Sequence, residues 1–231
     1  MEVSENGAIG EHHFIDDIFQ SSEWLLLSGA KKLTEAVAFR IANELASTIN
    51  GNTLFICRDT RQGDVLPLRI DAGDDKYCFK WSPILLKNID IFHANNSQEL
   101  KRITALSHTL PTAPDLIIIE SLSDIIDPLH SVSHSEYSFQ HLLLMIKSFV
   151  EDAVRVINRQ KLYDRFQSTR VRVIITDETI APMHMGFFGH RSVSHGIVTE
   201  LSAHSAQIDL LQHPQIKKQL CKIAVTEFVA C

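Results

Sequence analysis

The sequence is poor in the residue patterns by which several protein classes are recognised. Its four cysteines form no Cys-x-x-Cys pair, so we expect reduced thiols of an intracellular protein rather than a zinc ribbon or a disulfide-stabilised secreted domain. No apolar run approaches the ~20 residues that a membrane-spanning helix needs. The acidic amino-terminal segment lacks the apolar core of a signal peptide. The net charge of −6 gives no global sign of nucleic-acid binding, so any such contact has to come from a local patch.

Metal-binding and hydrolase patterns are missing as well. Twelve histidines are present, but none is spaced with cysteines or acids as a zinc site requires, and we expect no metal site. Asp124 and Asp127 lie near Glu120 without the spacing of an EF-hand loop, so we interpret them as surface residues. Ser194 and His195 lack the surroundings of a catalytic serine.

What the sequence does contain is a strand, a turn and a helix between residues 24 and 46. Residues 24–27 are apolar, Ser28 and Gly29 form a turn, and apolar residues recur at helical spacing from about Leu33. This is the frame in which a P-loop carries the motif G-x-x-x-x-G-K-[ST]. Gly29 supplies the first glycine of that motif.

The phosphate-binding residues of the motif are missing. Thr34 replaces the glycine that lets the backbone approach phosphate, Glu35 replaces the lysine, and Ala36 replaces the hydroxyl that coordinates magnesium. Because a carboxylate at position 35 would repel phosphate, we expect no ATP binding of the usual kind and no other cofactor. An alternative is an active nucleotide enzyme with an unorthodox loop, in which Lys31 and Lys32 substitute for the missing lysine.

A second segment supports the same frame. Residues 116–119 form an aliphatic run that follows Pro114 and Asp115 and ends at Glu120. A short continuous apolar run is typical of a strand buried on both faces, as in a parallel sheet. Glu120 then lies where a Walker B carboxylate would hold magnesium.

Strands that alternate with helices predict a mostly parallel sheet with helices on both faces, and a final antiparallel edge. Residues 1–20 are predicted to be a partly ordered arm, and 21–231 a single domain. The predicted helices are 33–49, 97–107 and 136–165; the predicted strands are 24–28, 53–57, 88–93, one from 116, 170–176, and two or three within 197–230; the predicted loops include 58–82 and 177–196.

Local signals add some detail to this outline. Asn50 and Gly51 predict a left-handed cap at the end of the first helix. Ser97 is a candidate N-cap for the second helix. Trp24 and Trp81 are predicted to be anchors in the core or at an interface.

The order of these elements resembles the RecA-type ATPase core of the recombinase-paralogue family, and in particular the small Shu-complex subunits that partner a SWIM-domain zinc protein. The residues that carry the resemblance are 25–37, 52–58 and 88–126. It implies a RecA-like fold, that is, a P-loop NTPase core. The chain departs from the family at the three P-loop positions described above and at Glu120, where many relatives have aspartate. These departures argue against nucleotide binding and leave the fold assignment standing.

The resemblance also implies a function. The chain would be a non-catalytic nuclear subunit, a pseudo-ATPase, that binds another recombinase paralogue or a SWIM-domain protein. It would assist the strand-exchange recombinase in forming or stabilising its filament on single-stranded DNA during DNA repair by homologous recombination. The alternative is an inactive RecA-like subunit of a ring assembly, such as the accessory complex of the Elongator tRNA-modification machinery.

The predicted loop 177–196 is the best candidate for DNA contact. It follows the strand that, in the RecA fold, leads into a mobile DNA-contacting loop. Phe187 and Phe188 could stack on bases, and Arg191, with His190 beside it, could contact phosphate. The alternative is that the aromatic pair packs on its own domain or on a partner.

A second basic region lies around the predicted end of the long helix. Its members are Arg155, Arg159, Lys161, Arg165, Arg170 and Arg172. We interpret it as a solvated helix end, where cations favour the carboxyl-terminal dipole. The alternative is a surface that binds a partner or a DNA backbone.

Overall fold

The protein is an α/β structure built on one sheet. The computed structural model describes residue 19 and residues 22–58, 83–126, 136–163, 170–178, 193–202, 205–213 and 216–224. Its elements are β1 (Trp24–Ser28), α1 (Lys31–Ile49), β2 (Thr53–Cys57), α2 (Pro83–Lys87), β3 (Ile89–His93), α3 (Ser97–Leu106), β4 (Leu116–Ile119), α4 (Leu122–Ile126), α5 (Glu136–Tyr163), β5 (Arg172–Asp177), β6 (Val193–Ser202), β7 (Ser205–His213) and β8 (Ile216–Ala224).

The strand order confirms the predicted class of fold. Within the described ranges the sheet has eight strands in the order β3-β2-β4-β5-β1-β6-β7-β8. Neighbours from β3 to β6 are parallel, whereas β6, β7 and β8 pair in antiparallel fashion. The mostly parallel sheet and its antiparallel carboxyl-terminal edge are therefore as predicted, and the arrangement is consistent with a RecA-like fold.

Helices cover both faces of the sheet because successive side chains of a strand point to opposite sides. Leu25 and Leu27 of β1 pack with α1 in one apolar cluster. Trp24 and Leu26 of the same strand pack with α3, α4 and α5 in the other. Strands β2 and β4 are buried along their whole length, which is why they read in the sequence as unbroken apolar runs. Trp24 is confirmed as a core residue, whereas Trp81 lies outside the described residues.

One of the two predicted helix caps is confirmed. Asn50 adopts the left-handed conformation with φ of 52° and ends α1, as expected. Ser97 is not the N-cap of α3, because it already belongs to the helix. The cap is Asn96, whose extended backbone lets its side-chain oxygen accept hydrogen bonds from the N–H groups of Gln98 and Glu99.

Three predicted boundaries are wrong in ways that bear on the site. Helix α1 begins at Lys31 and not near Leu33. The predicted loop 177–196 is too long at its end, because β6 begins at Val193 and pairs with β1. The carboxyl-terminal strands accordingly begin before 197. Among the described residues, no helix is long and apolar enough to cross a membrane.

Candidate functional site

The two degenerate motifs meet at one edge of the sheet. Strand β5 lies between β1 and β4, and all three are parallel. Their carboxyl ends therefore bring together Ser28, Glu120 and Asp177. The turn after β1 and the acid after β4 lie close together, although the two strands do not pair.

The turn between β1 and α1 is very short. Only Gly29 and Ala30 separate the last residue of β1 from Lys31, the first residue of the helix. A Cβ atom at Gly29, which has φ of +154°, would lie 2.5 Å from the carbonyl oxygen of Val198 in β6. The close passage of β6 thus accounts for a glycine here, independently of any phosphate.

The remaining motif positions lie inside the helix. Thr34, Glu35 and Ala36 are all buried, with at most 6% of their surface exposed. The hydroxyl of Thr34 donates a hydrogen bond of 2.9 Å to the carbonyl oxygen of Lys31, one turn earlier. These positions therefore serve the packing of α1 and do not form a loop that could surround a phosphate.

An internal ion pair joins the two motifs. The ammonium group of Lys31 lies 2.8 Å from Oδ2 of Asp124 and 3.9 Å from Oε1 of Glu120. Burial by itself lowers the pKa of Lys31, but the hydrogen bond with Asp124 and the nearby carboxylates outweigh it and raise that pKa above its usual value. Lys31 is therefore a cation held between the Walker B-like acid and Asp124. This corrects the interpretation of Asp124 as a mere surface residue; Asp127 lies outside the described residues.

A second carboxylate lies at the amino terminus of α1. The backbone N–H of Lys31 donates a hydrogen bond to Oε1 of Glu178, which directly follows β5. The amino terminus of a helix favours anions because its first N–H groups are unpaired and its dipole is positive there. In this protein a side chain from the neighbouring strand provides that anion.

The end of β5 also holds the segment that follows Glu120. The hydroxyl of Thr176 accepts a hydrogen bond of 3.0 Å from the N–H of Ser121, whose φ is 46°. A carboxylate oxygen of Asp177 accepts one of 2.6 Å from the N–H of Ser123. Sequence reasoning missed these residues, although a run of polar residues directly after an apolar strand is a signal for such a role.

His195 is the other buried polar residue near this edge. It lies in β6 with 1% of its surface exposed, and its Nε2 is 2.8 Å from Oγ of Ser28. Among the described residues its Nδ1 has no hydrogen-bond partner, and burial lowers the pKa of His195 to about 4. The imidazole is therefore neutral at pH 7, and it pairs with Ser28 and not with its neighbour Ser194.

The other sequence candidates are only partly placed. Phe187, Phe188, His190 and Arg191 lie outside the described residues, so their role in DNA contact stays a prediction. Within the described part of the chain, no group of three or more histidines, cysteines and acids could hold a metal ion.

The second basic region is not the uniform solvated patch that we predicted. Lys161 is buried, with 3% of its side chain exposed, and forms an ion pair with buried Asp115. The guanidinium of Arg172 lies over the ring of Phe19, 5.2 Å from its centroid. The prediction failed for these two residues because both are drawn inward by partners remote in sequence.

Comparison with known proteins adds no assignment. No protein-family model matches the chain, and no curated protein matches it.

Proposed function

We propose that this protein is a non-catalytic, nuclear recombinase-paralogue subunit, a pseudo-ATPase. It binds another recombinase paralogue or a SWIM-domain protein and promotes the assembly or stability of a recombinase filament on single-stranded DNA during homologous recombination. The proposal rests on the sequence resemblance and on the α/β frame, which is consistent with a RecA-like fold.

The observation that supports the non-catalytic role best is the pairing of Lys31. In a working P-loop, backbone N–H groups and a lysine face the phosphates, and an acid faces magnesium. Here the N–H of Lys31 faces Glu178 and its ammonium group faces Asp124 and Glu120. The ammonium group and the backbone N–H that would face the phosphates are already held by carboxylates of the protein itself, which favours a structural role for this edge of the sheet.

Exposed apolar side chains support a role in protein association. Phe92, on the outermost strand β3, is 37% exposed, and Leu106 at the end of α3 is 50% exposed. Isolated exposed hydrophobic residues are ordinary, but these two line one groove beside β3, the outermost strand of the described sheet. A subunit that works by binding other proteins would cover such a surface.

Affinity purification of the tagged protein from its own cells, followed by mass spectrometry, tests the proposal. We expect recovery of a recombinase paralogue or a SWIM-domain protein, together with the strand-exchange recombinase. A variant with Phe187→Ala and Phe188→Ala is then expected to keep these partners while the complex binds single-stranded DNA more weakly. Recovery of Elongator subunits would instead support the ring-assembly alternative and reject the recombination role.

Nucleotide binding provides an independent test of the pseudo-ATPase part. Calorimetric titration of the purified protein with ATP and magnesium is expected to give no binding heat, while a catalytically active RecA-type protein serves as the positive control. Tight binding that disappears in a Lys31→Ala, Lys32→Ala variant would contradict the proposal. It would support the alternative of an active enzyme in which these lysines contact the phosphates.

A further inference from the structure

A groove of about 690 Å³ lies at the end of the sheet opposite Lys31. It runs between the carboxyl-terminal half of α5 and the residues that enter β1. Its floor includes Trp24 and Val154, which are 6% and 5% exposed. Because β1 begins at this end, the groove is separate from the site formed by the carboxyl ends of the strands.

Three arginines give the groove a basic character. Arg155 and Arg159 project from α5, and Arg170 lies just before β5. Arg170 pairs with Glu23 at 2.8 Å, and Arg155 pairs with Asp152 at 3.1 Å. Both pairs are largely exposed, and exposed pairs contribute little energy and are readily exchanged for others. Among the described residues Arg159 has no ion pair, so its guanidinium is open to a ligand.

The lining is mixed in charge and partly apolar. Glu23 and Glu151 lie in the groove beside the arginines. Because two carboxylates stand among three arginines, the lining is not the continuous row of cations that suits the evenly spaced phosphates of a nucleic acid. Two separate arginines are enough for the few carboxylates of a peptide. Leu162 at the rim is 78% exposed, which favours a ligand that also carries an apolar side chain.

We propose that this groove binds an acidic peptide segment of a protein partner, with carboxylates at Arg155 and Arg159 and an apolar side chain against Leu162. Arginine suits this role because its planar guanidinium forms paired hydrogen bonds with a carboxylate. Arginine and tryptophan are also enriched at the centres of protein interfaces. The inference rests on the proposed function, because a non-catalytic subunit needs a surface that binds its partner, and it assigns that surface to the groove.

A charge exchange on the 231-residue chain tests the inference. The probe is a short labelled peptide of alternating glutamate and leucine, with a lysine and leucine peptide as its counterpart, and binding is followed by fluorescence anisotropy. The glutamate peptide is expected to bind the natural chain. The Arg155→Glu, Arg159→Glu variant should bind it at least about tenfold more weakly and should gain affinity for the lysine peptide.

Two further variants separate the groove from general effects of charge. Arg102→Glu changes an exposed arginine on α3, outside the groove, and is expected to leave binding of the glutamate peptide unchanged. Leu162→Asp removes the apolar rim and is expected to weaken it. Circular dichroism verifies that each variant is folded, which the exposure of these side chains favours.

Several results would overturn the inference. If Arg102→Glu weakened binding of the glutamate peptide as much as the double variant does, the binding would be nonspecific charge attraction. If the double variant lost binding to a labelled oligodeoxythymidylate but still bound the peptide as the natural chain does, the groove would be a nucleic-acid site. Self-association that Leu162→Asp abolishes in sedimentation would identify a second copy of the chain as the occupant. The peptide measurement needs no recombination partner, so its failure and failure of the affinity purification are distinguishable.

Discussion

At the scale of single residues, Lys31 is the most consequential side chain that the structure places. It is the first residue of a helix, where a positive charge is unfavourable because the helix dipole is positive there as well. Glu120 and Glu178, which follow β4 and β5, and Asp124 in α4 compensate that cost. Notably, the sequence suggested Lys31 only as a phosphate ligand, because its carboxylate partners lie far away along the chain.

Replacing Lys31 by methionine should remove its ammonium group from the two carboxylates of Glu120 and Asp124. We expect Lys31→Met to lower the free energy of unfolding by about 1–2 kcal/mol, between the values for exposed and buried pairs. Because the pKa of Lys31 is raised, this contribution is complete below the unfolded-state pKa of 10.5 and is lost as pH rises through the folded-state pKa. Urea unfolding at pH 7 measures the difference. Lys32→Met, at the exposed neighbouring position, is the control; an equal loss there would contradict the role given to Lys31.

The buried imidazole of His195 should make the free energy of unfolding depend on pH in the acid range. The pKa of His195 is lowered to about 4 in the folded state from 6.5, so the unfolded chain binds this proton first as pH falls. Stability should therefore decrease between about pH 6.5 and pH 4, with a slope of at most about 1.4 kcal/mol per pH unit from this group. Urea unfolding at several pH values should show a shallower dependence for His195→Asn. Parallel curves for the two proteins would rule out this contribution.

At the scale of elements, the buried pair of Asp115 and Lys161 joins the end of α5 to the start of β4. Asp115 also accepts a hydrogen bond of 2.9 Å from the N–H of Asn52, before β2. One carboxylate therefore connects three elements at the amino ends of the strands, where the apolar core gives way to polar backbone.

Lys161→Met should leave this buried carboxylate without its cation, at a cost of about 3 kcal/mol. Thermal or urea unfolding followed by circular dichroism measures the loss. Lys147→Met on the same helix is the matched control, because Lys147 pairs with a half-exposed Glu151 and should cost less than about 1 kcal/mol. Adding Asp115→Asn to Lys161→Met should recover part of the stability. Equal losses for the two lysine variants would contradict a buried ion pair.

The elements that the sequence predicts well are the buried strands that consist of consecutive apolar residues. The strands 24–28 and 53–57 are confirmed in full, since apolar side chains fill both faces there. Strand β6 was partly missed because His195 and Gly196 interrupt its apolar pattern. Its burial depends on packing against β1, where a Cβ at Gly196 would lie 3.0 Å from a methyl group of Leu27. Such distant contacts leave no local signal.

The start of α1 was missed for a similar reason. Its N-cap, Ala30, has no side chain that could bond the first N–H groups. The group that does so is Glu178, 147 positions further along the chain. Parallel topology is enough to predict that the carboxyl ends of β1 and β4 lie at the same edge of the sheet. The ion pair between Lys31 and Glu120 could not be predicted, because a lysine inside a degenerate P-loop motif suggests a phosphate ligand.

At the scale of the whole molecule, the described sheet has two unlike sides. One side ends in the antiparallel ribbon of β6, β7 and β8, and the other ends in the short parallel strand β3. The exposure of β3 alternates along its length, with Asp90 and Phe92 outward. Short edge strands with a charged residue resist uncontrolled pairing, whereas an exposed aromatic on such an edge promotes it.

Phe92→Lys is therefore expected to reduce concentration-dependent self-association of the isolated chain, as measured by light scattering. Lysine places a charge on the strand edge, which a second strand would have to bury. Leu106→Lys, at an exposed position on the neighbouring helix, removes apolar surface without altering the edge. If both variants reduced self-association to a similar extent, exposed apolar area alone would be its cause. If neither variant reduced it, this side of the sheet would not be the site of self-association.

The short turn between β1 and α1 implies that point substitutions alone could not turn this edge of the sheet into a phosphate-binding loop. Substituting glycine, lysine and threonine at positions 34–36 would not create a phosphate-binding loop, because these positions are buried inside the helix. A lysine in place of Glu35 would instead have to be accommodated among packed side chains. A phosphate-binding loop would require residues to be inserted between Gly29 and Lys31, a rarer event than point mutation.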